Sequence, residues 1–153
     1  MKKFLFAIAG FVLIVISSSS CKKETTATVT SLTKTQILVQ QSPWEIQELD
    51  LDSTGSITQY IRGGISTTAD NYSVVRFTFN ADGTGSYTDV LGVTSTLNWL
   101  FTTQDQSNIQ FNINSSPVYN PTWSLVGISD SSIVQTNYQS SLVIESAKLV
   151  PVQ

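Results

Sequence analysis

Cys21 is the only cysteine among 153 residues, so its thiol has no partner for a disulfide within the chain. Thiols also serve as nucleophiles and metal ligands, but each of those uses needs an activating or co-ligating neighbour. Histidine is absent altogether. That removes the usual general base, the commonest metal ligand and the residue that activates a nucleophilic Ser. Serines and threonines are abundant, yet only a rare Lys such as Lys148 remains to serve them as a base.

Carboxylates are the other residues able to do chemistry. Glu45 with Glu48, or Asp82 with Asp89, would support glycoside hydrolysis only if the fold brought each pair to about 5–10 Å across a cleft. Their positions on strand exteriors or in turns leave them solvated instead. Asp50-Leu51-Asp52-Ser53-Thr54-Gly55 opens with the spacing of a calcium loop, but its twelfth position is Ile61, which carries no carboxylate. Counted from Thr78, the residues Asn80, Asp82, Gly83 and Asp89 fall at positions three, five, six and twelve, with a Thr as first ligand and strands as flanks. Neither stretch is read as a metal site. No catalytic residue and no cofactor is assigned, and the chain is read as a non-enzyme.

Charge narrows the partners further. Beyond residue 20 stand six Lys and Arg against eleven Asp and Glu, a formal side-chain charge of −5. Only Arg62, Arg76 and Lys148 lie beyond residue 35, so no basic stripe exists to neutralise phosphates. Nucleic-acid binding is excluded on that ground.

What precedes Cys21 gives the thiol a different role. Met1-Lys2-Lys3 is a short basic region, Phe4 to Ile16 is an apolar run, and Ser17-Ser18-Ser19-Ser20 leads into Cys21-Lys22-Lys23. That is the order of a secretory signal, with an apolar part too short to span a bilayer comfortably. Ser19-Ser20-Cys21 behind Ile14, Val15 and Ile16 resembles a bacterial lipoprotein signal peptide of the Bacteroidetes type, with Ser18 where a Leu-like residue is usual. The resemblance implies cleavage after residue 20 and acyl chains on Cys21, which would hold the protein in the cell envelope, anchored to the outer membrane and facing either the periplasm or the surface. The alternative is an ordinary secretory signal cut within the serine run, leaving Cys21 as a free thiol. Residues 21–35 then form a polar, Thr-rich flexible tether, and residues 36–153 one domain.

The domain reads as short strands. Thr35 to Gln41 gives a helical turn or two, with Ile37 and Leu38 facing inward. After Pro43 the apolar residues fall at period two. Trp44 and Ile46 set one phase, and Leu49 and Leu51 another, which places a bulge near Gln47-Glu48. Val75, Phe77 and Phe79 alternate with Arg76 and Thr78; Arg76 therefore points to solvent or pairs with an acid across the strands. Asn80-Ala81-Asp82-Gly83-Thr84-Gly85 is a hairpin turn, and Tyr87 lies on the return strand. Leu97, Trp99 and Phe101, then Ile109, Phe111 and Ile113, form two more strands. Trp123 and Leu125 lead into a turn at Ser129-Asp130-Ser131. Ile133 and Val134 start a strand, and Leu142 to Val150 closes the chain. An interval rich in Ser, Thr and Gly, Asp52 to Asn71, holds one irregular strand or a long loop across one mouth.

This spacing predicts an all-β domain, an antiparallel up-and-down barrel of about eight strands. Val75-Arg76-Phe77-Thr78-Phe79-Asn80-Ala81-Asp82-Gly83-Thr84 is similar to the hairpin of lipocalin-like domains in bacterial lipoproteins. Trp44, Trp99-Leu100-Phe101 and Trp123-Ser124-Leu125 also fit that family, although Ser42-Pro43 replaces its Gly-x opening before the Trp. The resemblance implies a calyx and a small apolar or amphipathic ligand. Phe77, Tyr87, Trp99, Phe111 and Trp123 are the candidate ligand-contacting residues, and plain core is the alternative for all of them. A filled barrel would make the domain an envelope interaction or structural module instead.

Overall fold

The structure, a computed structural model, describes residues 31–53, 56–115, 120–140 and 143–153. The signal segment, Cys21 and the tether as far as Thr30 lie outside the described residues, as do the side chains of residues 138–140 and 143–144. A short helix, α1 (Lys34–Gln40), precedes nine strands: β1 (Trp44–Ser53), β2 (Ser56–Ile61), β3 (Arg76–Phe79), β4 (Thr84–Thr88), β5 (Thr94–Phe101), β6 (Ile109–Ile113), β7 (Thr122–Ser129), β8 (Ser132–Ser140) and β9 (Val143–Pro151).

From β3 to β9 each strand pairs antiparallel with the next in chain order, and β9 returns to β1, whose first residues also pair with β3. The result is a closed antiparallel barrel of eight strands, with β2 attached outside the cycle. It is compatible with a lipocalin-like arrangement. The phase change between Ile46 and Leu49 is a bulge in the β1–β9 ladder, between Ile46 and Glu48. Two glycines are required by the β3–β4 hairpin. Gly83 takes a φ of +83°, and a Cβ on Gly85 would lie 2.0 Å from the Thr78 carbonyl oxygen.

The wall is uneven. β1, β8 and β9 have nine or ten residues, whereas β3, β4 and β6 have four or five. At about 3.3 Å per residue, one side stands about 30 Å tall and the other about 15 Å. Only Trp44 and Glu45 pair with β3; from Glu48 onward that edge of β1 pairs with β2. A seam therefore separates β2 from β3, and charged groups close it. Arg62 follows β2 and donates through Nε to the Ile46 carbonyl at 2.8 Å. Arg62 and Arg76 both donate to the Ser73 carbonyl and both reach Glu45, at 3.5 and 2.8 Å. Arg76 thus pairs with an acid across the strands rather than standing in solvent.

The interval from Asp52 to Asn71 contains the regular strand β2, and the segment after it folds back along that strand. Thr67 N donates to the Gln59 carbonyl at 2.8 Å, and Ile61 N to Ser66 Oγ at 3.0 Å. Backbone groups that would otherwise form an open edge are satisfied there. Leu125 departs from simple alternation. It adopts a φ of +53° and is 70% exposed, while Val126 turns inward, because the β7–β8 ladder bulges between Ser124 and Gly127.

One end of the barrel is shut by α1. Thr33 caps the helix reciprocally with Gln36. Leu38 is fully buried, and its carbonyl accepts from Trp44 Nε1 at 2.8 Å and from Ser42 Oγ at 3.0 Å. Ser42 Oγ in turn accepts from Phe79 N at 2.9 Å. Lys34 reaches the far side, where its ammonium donates to the carbonyls of Asp105, Gln106 and Val126 at 3.1, 3.1 and 3.4 Å.

Candidate functional site

Among the described residues nothing comparable to α1 covers the opposite end, here the open end, and its chemistry is set by two facing strands. Inward residues of β8 run Ile133, Gln135, Asn137; those of β9 run Leu149, Ala147, Glu145. The register pairs them as Ile133 with Leu149, Gln135 with Ala147, and Asn137 with Glu145. Both strands therefore change from apolar to polar as they rise from the closed end, β8 at Gln135 and β9 one pair higher at Glu145. Sequence reading missed this group, although the same period of two carries it.

Gln135 is 1% exposed and Asn137 4%. Gln135 Nε2 donates to Glu145 Oε1 at 3.2 Å, while Gln135 Oε1 has no hydrogen-bond partner. A buried acceptor left unmatched costs about 1–3 kcal/mol, so it marks a place where a donor belongs. Tyr72 stands nearby, its ring 5.5 Å from that of Tyr60. Burial above all, then the negative charges of Asp70 and Glu145, push the Tyr72 phenol above its ordinary value of 10.0. It stays neutral and able to donate.

Between these groups and the aromatic core lies a cleft of about 60 Å³, with Tyr72, Phe77, Tyr87, Trp123 and Glu145 in its wall. Three of the five aromatic candidates, Phe77, Tyr87 and Trp123, meet here, with Phe77 centred 4.9 Å from Tyr87 and 5.0 Å from Trp123. Phe111 lies beneath, 4.6 Å from Trp123. Trp99 faces the other end of the barrel, packed on Phe79 at 5.6 Å with its indole donating to the Thr84 carbonyl at 3.0 Å. Among the described residues these rings touch one another.

The acids of the sequence go to local work. Asp82 accepts from the Thr84 amide and hydroxyl at 2.9 and 2.6 Å, and Asp89 accepts from the amides of Leu91 and Val93 at 2.9 Å each. They sit at opposite ends of β4, roughly 20 Å apart by strand rise. Glu45 is held by two arginines, and Asp50 accepts from Gln59 Nε2 at 2.9 Å. Among the described residues no three acidic or thiol groups converge as a metal site would require. On the outer face, Asn98, Gln110, Asn112 and Asn120 line a shallow hollow beside Leu100, which is 55% exposed.

Comparison with protein family models, curated proteins and solved structures returned no match for this chain. The functional reading therefore rests on its own residues.

Proposed function

We propose that this chain is an exported, lipid-anchored recognition module of the bacterial cell envelope, probing groups presented at its barrel mouth instead of carrying a ligand inside. The observation that carries this reading is the cleft of about 60 Å³. Sites for drug-sized ligands enclose about 300–1,000 Å³, and among the described residues the aromatic side chains pack against one another beside this smaller cleft. The absence of histidine and the turn-bound Asp82 and Asp89 support binding over catalysis.

Cys21 is the proposed point of acylation, with the outer membrane as the destination. Residues 21–33 reach at most roughly 45 Å when extended. The chain enters the domain through α1, at the shut end.

Metabolic labelling with an alkyne fatty acid tests the anchor. Wild-type chain should take up label and sediment with membranes, and Cys21→Ser should do neither; equal labelling of both would refute acylation at Cys21. Native mass spectrometry tests the mouth. A bare mass supports recognition at the surface, whereas a co-purified apolar molecule would establish the carrier reading in its place.

A further inference from the structure

We infer that residues 103–107 and the β7 bulge form a dedicated site for a primary ammonium, filled in cis by Lys34, and that filling it locks α1 onto the shut end. Three observations lead there. The first is a match of donors to acceptors. An ammonium carries three donors and no acceptor. Three carbonyls meet Lys34 Nζ, those of Asp105 and Gln106 at 3.1 Å each and that of Val126 at 3.4 Å. A calcium ion would need more oxygens, with carboxylates among them.

The second is where the backbone leaves ordinary geometry. Among the described residues only two that are not glycine adopt a positive φ, Gln106 at 56° and Leu125 at 53°. Both border this site. Gln106 supplies one carbonyl, and Leu125 directly precedes Val126, which supplies another. Left-handed backbone disfavours such side chains and persists only where the surroundings dictate it. Here they do so without Lys34. Gln106 N donates to the Thr103 carbonyl at 3.1 Å, and Thr103 Oγ1 accepts from the Ser107 and Asn108 amides at 3.0 and 3.1 Å. Val126 N donates to the Ser107 carbonyl at 2.8 Å, joining the loop to the bulge. The acceptors are aimed by bonds of their own, so the site outlasts removal of its occupant.

The third concerns Lys34 itself. It opens α1, whose first turn holds no acid, and a cation is least favoured at that end of a helix. Seven residues are also too few for a helix to stand alone. Lys34 therefore serves the site rather than the helix, tying α1 to carbonyls 71 to 92 residues away. The site lies at the shut end and is independent of the recognition role proposed for the mouth.

Lys34→Ala tests it, since that change removes the equivalent of propylammonium and favours the helix by propensity. Hydrogen exchange is followed by NMR on the detergent-solubilised full-length chain. The probes are the Gln41 amide, bonded to the Ile37 carbonyl, and the indoles of Trp44 and Trp99, bonded to the Leu38 and Thr84 carbonyls. Exchange is expected to quicken about ten-fold at Gln41 and Trp44 and to stay unchanged at Trp99. Propylammonium chloride should restore slow exchange saturably. Tetramethylammonium, which has no N–H, and potassium chloride at matched concentrations should not.

A planar guanidinium cannot aim donors as a rotatable ammonium does, so Lys34→Arg should quicken the same probes several-fold. That variant carries the test if Lys34→Ala loses its cooperative melt. Unchanged exchange in Lys34→Ala, or equal quickening at Trp44 and Trp99, would overturn the lock. A lack of rescue by propylammonium below about 100 mM, or equal rescue by the control salts, would overturn the ammonium site. Wild-type exchange in Lys34→Arg would reduce the contact to charge alone and overturn it as well.

Discussion

The two ends of this barrel are built on opposite rules. At the shut end Leu38 and Trp44 are fully buried, and Leu38, Ser42, Trp44 and Phe79 form one hydrogen-bonded chain. At the open end a carboxylate, a neutral phenol and two buried amides stand against aromatic rings, and one amide oxygen is unmatched. Stability is concentrated where α1 seats. The polar group lies where the short strands β3, β4 and β6 stop and the taller β1, β8 and β9 continue.

The largest effect should come from removing the shut end's anchor. Trp44→Ala is expected to cost about 3–5 kcal/mol, because it empties a packed site and strands the Leu38 carbonyl. Chemical denaturation would measure it, and a loss under about 1 kcal/mol would erase the contrast between the ends. The open end should respond with the opposite sign. Replacing Gln135 and Glu145 together by Leu removes a buried amide oxygen that has no partner and should stabilise the fold by about 1–3 kcal/mol. A lower melting temperature for that double variant would mean the polar group is structural.

At the seam, Glu45→Gln should cost about 1 kcal/mol, since its ion pairs are partly solvated. Hydrogen exchange should then quicken at Arg62 and Arg76 and stay unchanged at Trp99. Smallest is the response to acid. Hydrogen bonds from Thr84 hold Asp82 below its ordinary 3.8, and bonds from Ser107 and Thr103 do the same for Asp105. A depressed folded pKa adds stability above the unfolded value, and that stability is lost as pH falls through the folded value. The turns at Asp82 and Asp105 should therefore loosen below about pH 3.8, seen as faster exchange of the Thr84 and Ser107 amides.

Much of the shut end was legible in the chain, because alternation reports which face a residue takes. Trp44 and Ile46 against Leu49 located the bulge, Phe77 and Phe79 the hairpin, and Leu38 the inward side of α1. The open end was less legible for physical reasons. Period two does not say how high on a strand a residue sits, so Gln135, Asn137 and Glu145 looked like ordinary polar positions. Nor does it say how far aromatic rings fill a barrel, which decides between a calyx and a cleft. Trp99 shares the inward parity of Phe111 and yet serves the other end. Leu125 was misplaced because a left-handed residue within the β7–β8 bulge reverses the phase, and nothing in its side chain announces that.

The pairing of β1 with β9 has a consequence for how the molecule is made. The ladder joins Trp44 to Pro151, and Val152 N donates to the Pro43 carbonyl at 2.9 Å. A polypeptide emerging N-terminus first can zip β3 through β8 hairpin by hairpin, but the ring cannot shut until its final residues are released. Until then the first strand waits with one flank bare, and the slow step is a closure across nearly the whole domain. Truncation of even the last few residues should therefore leave an open, sticky sheet rather than a slightly weaker barrel.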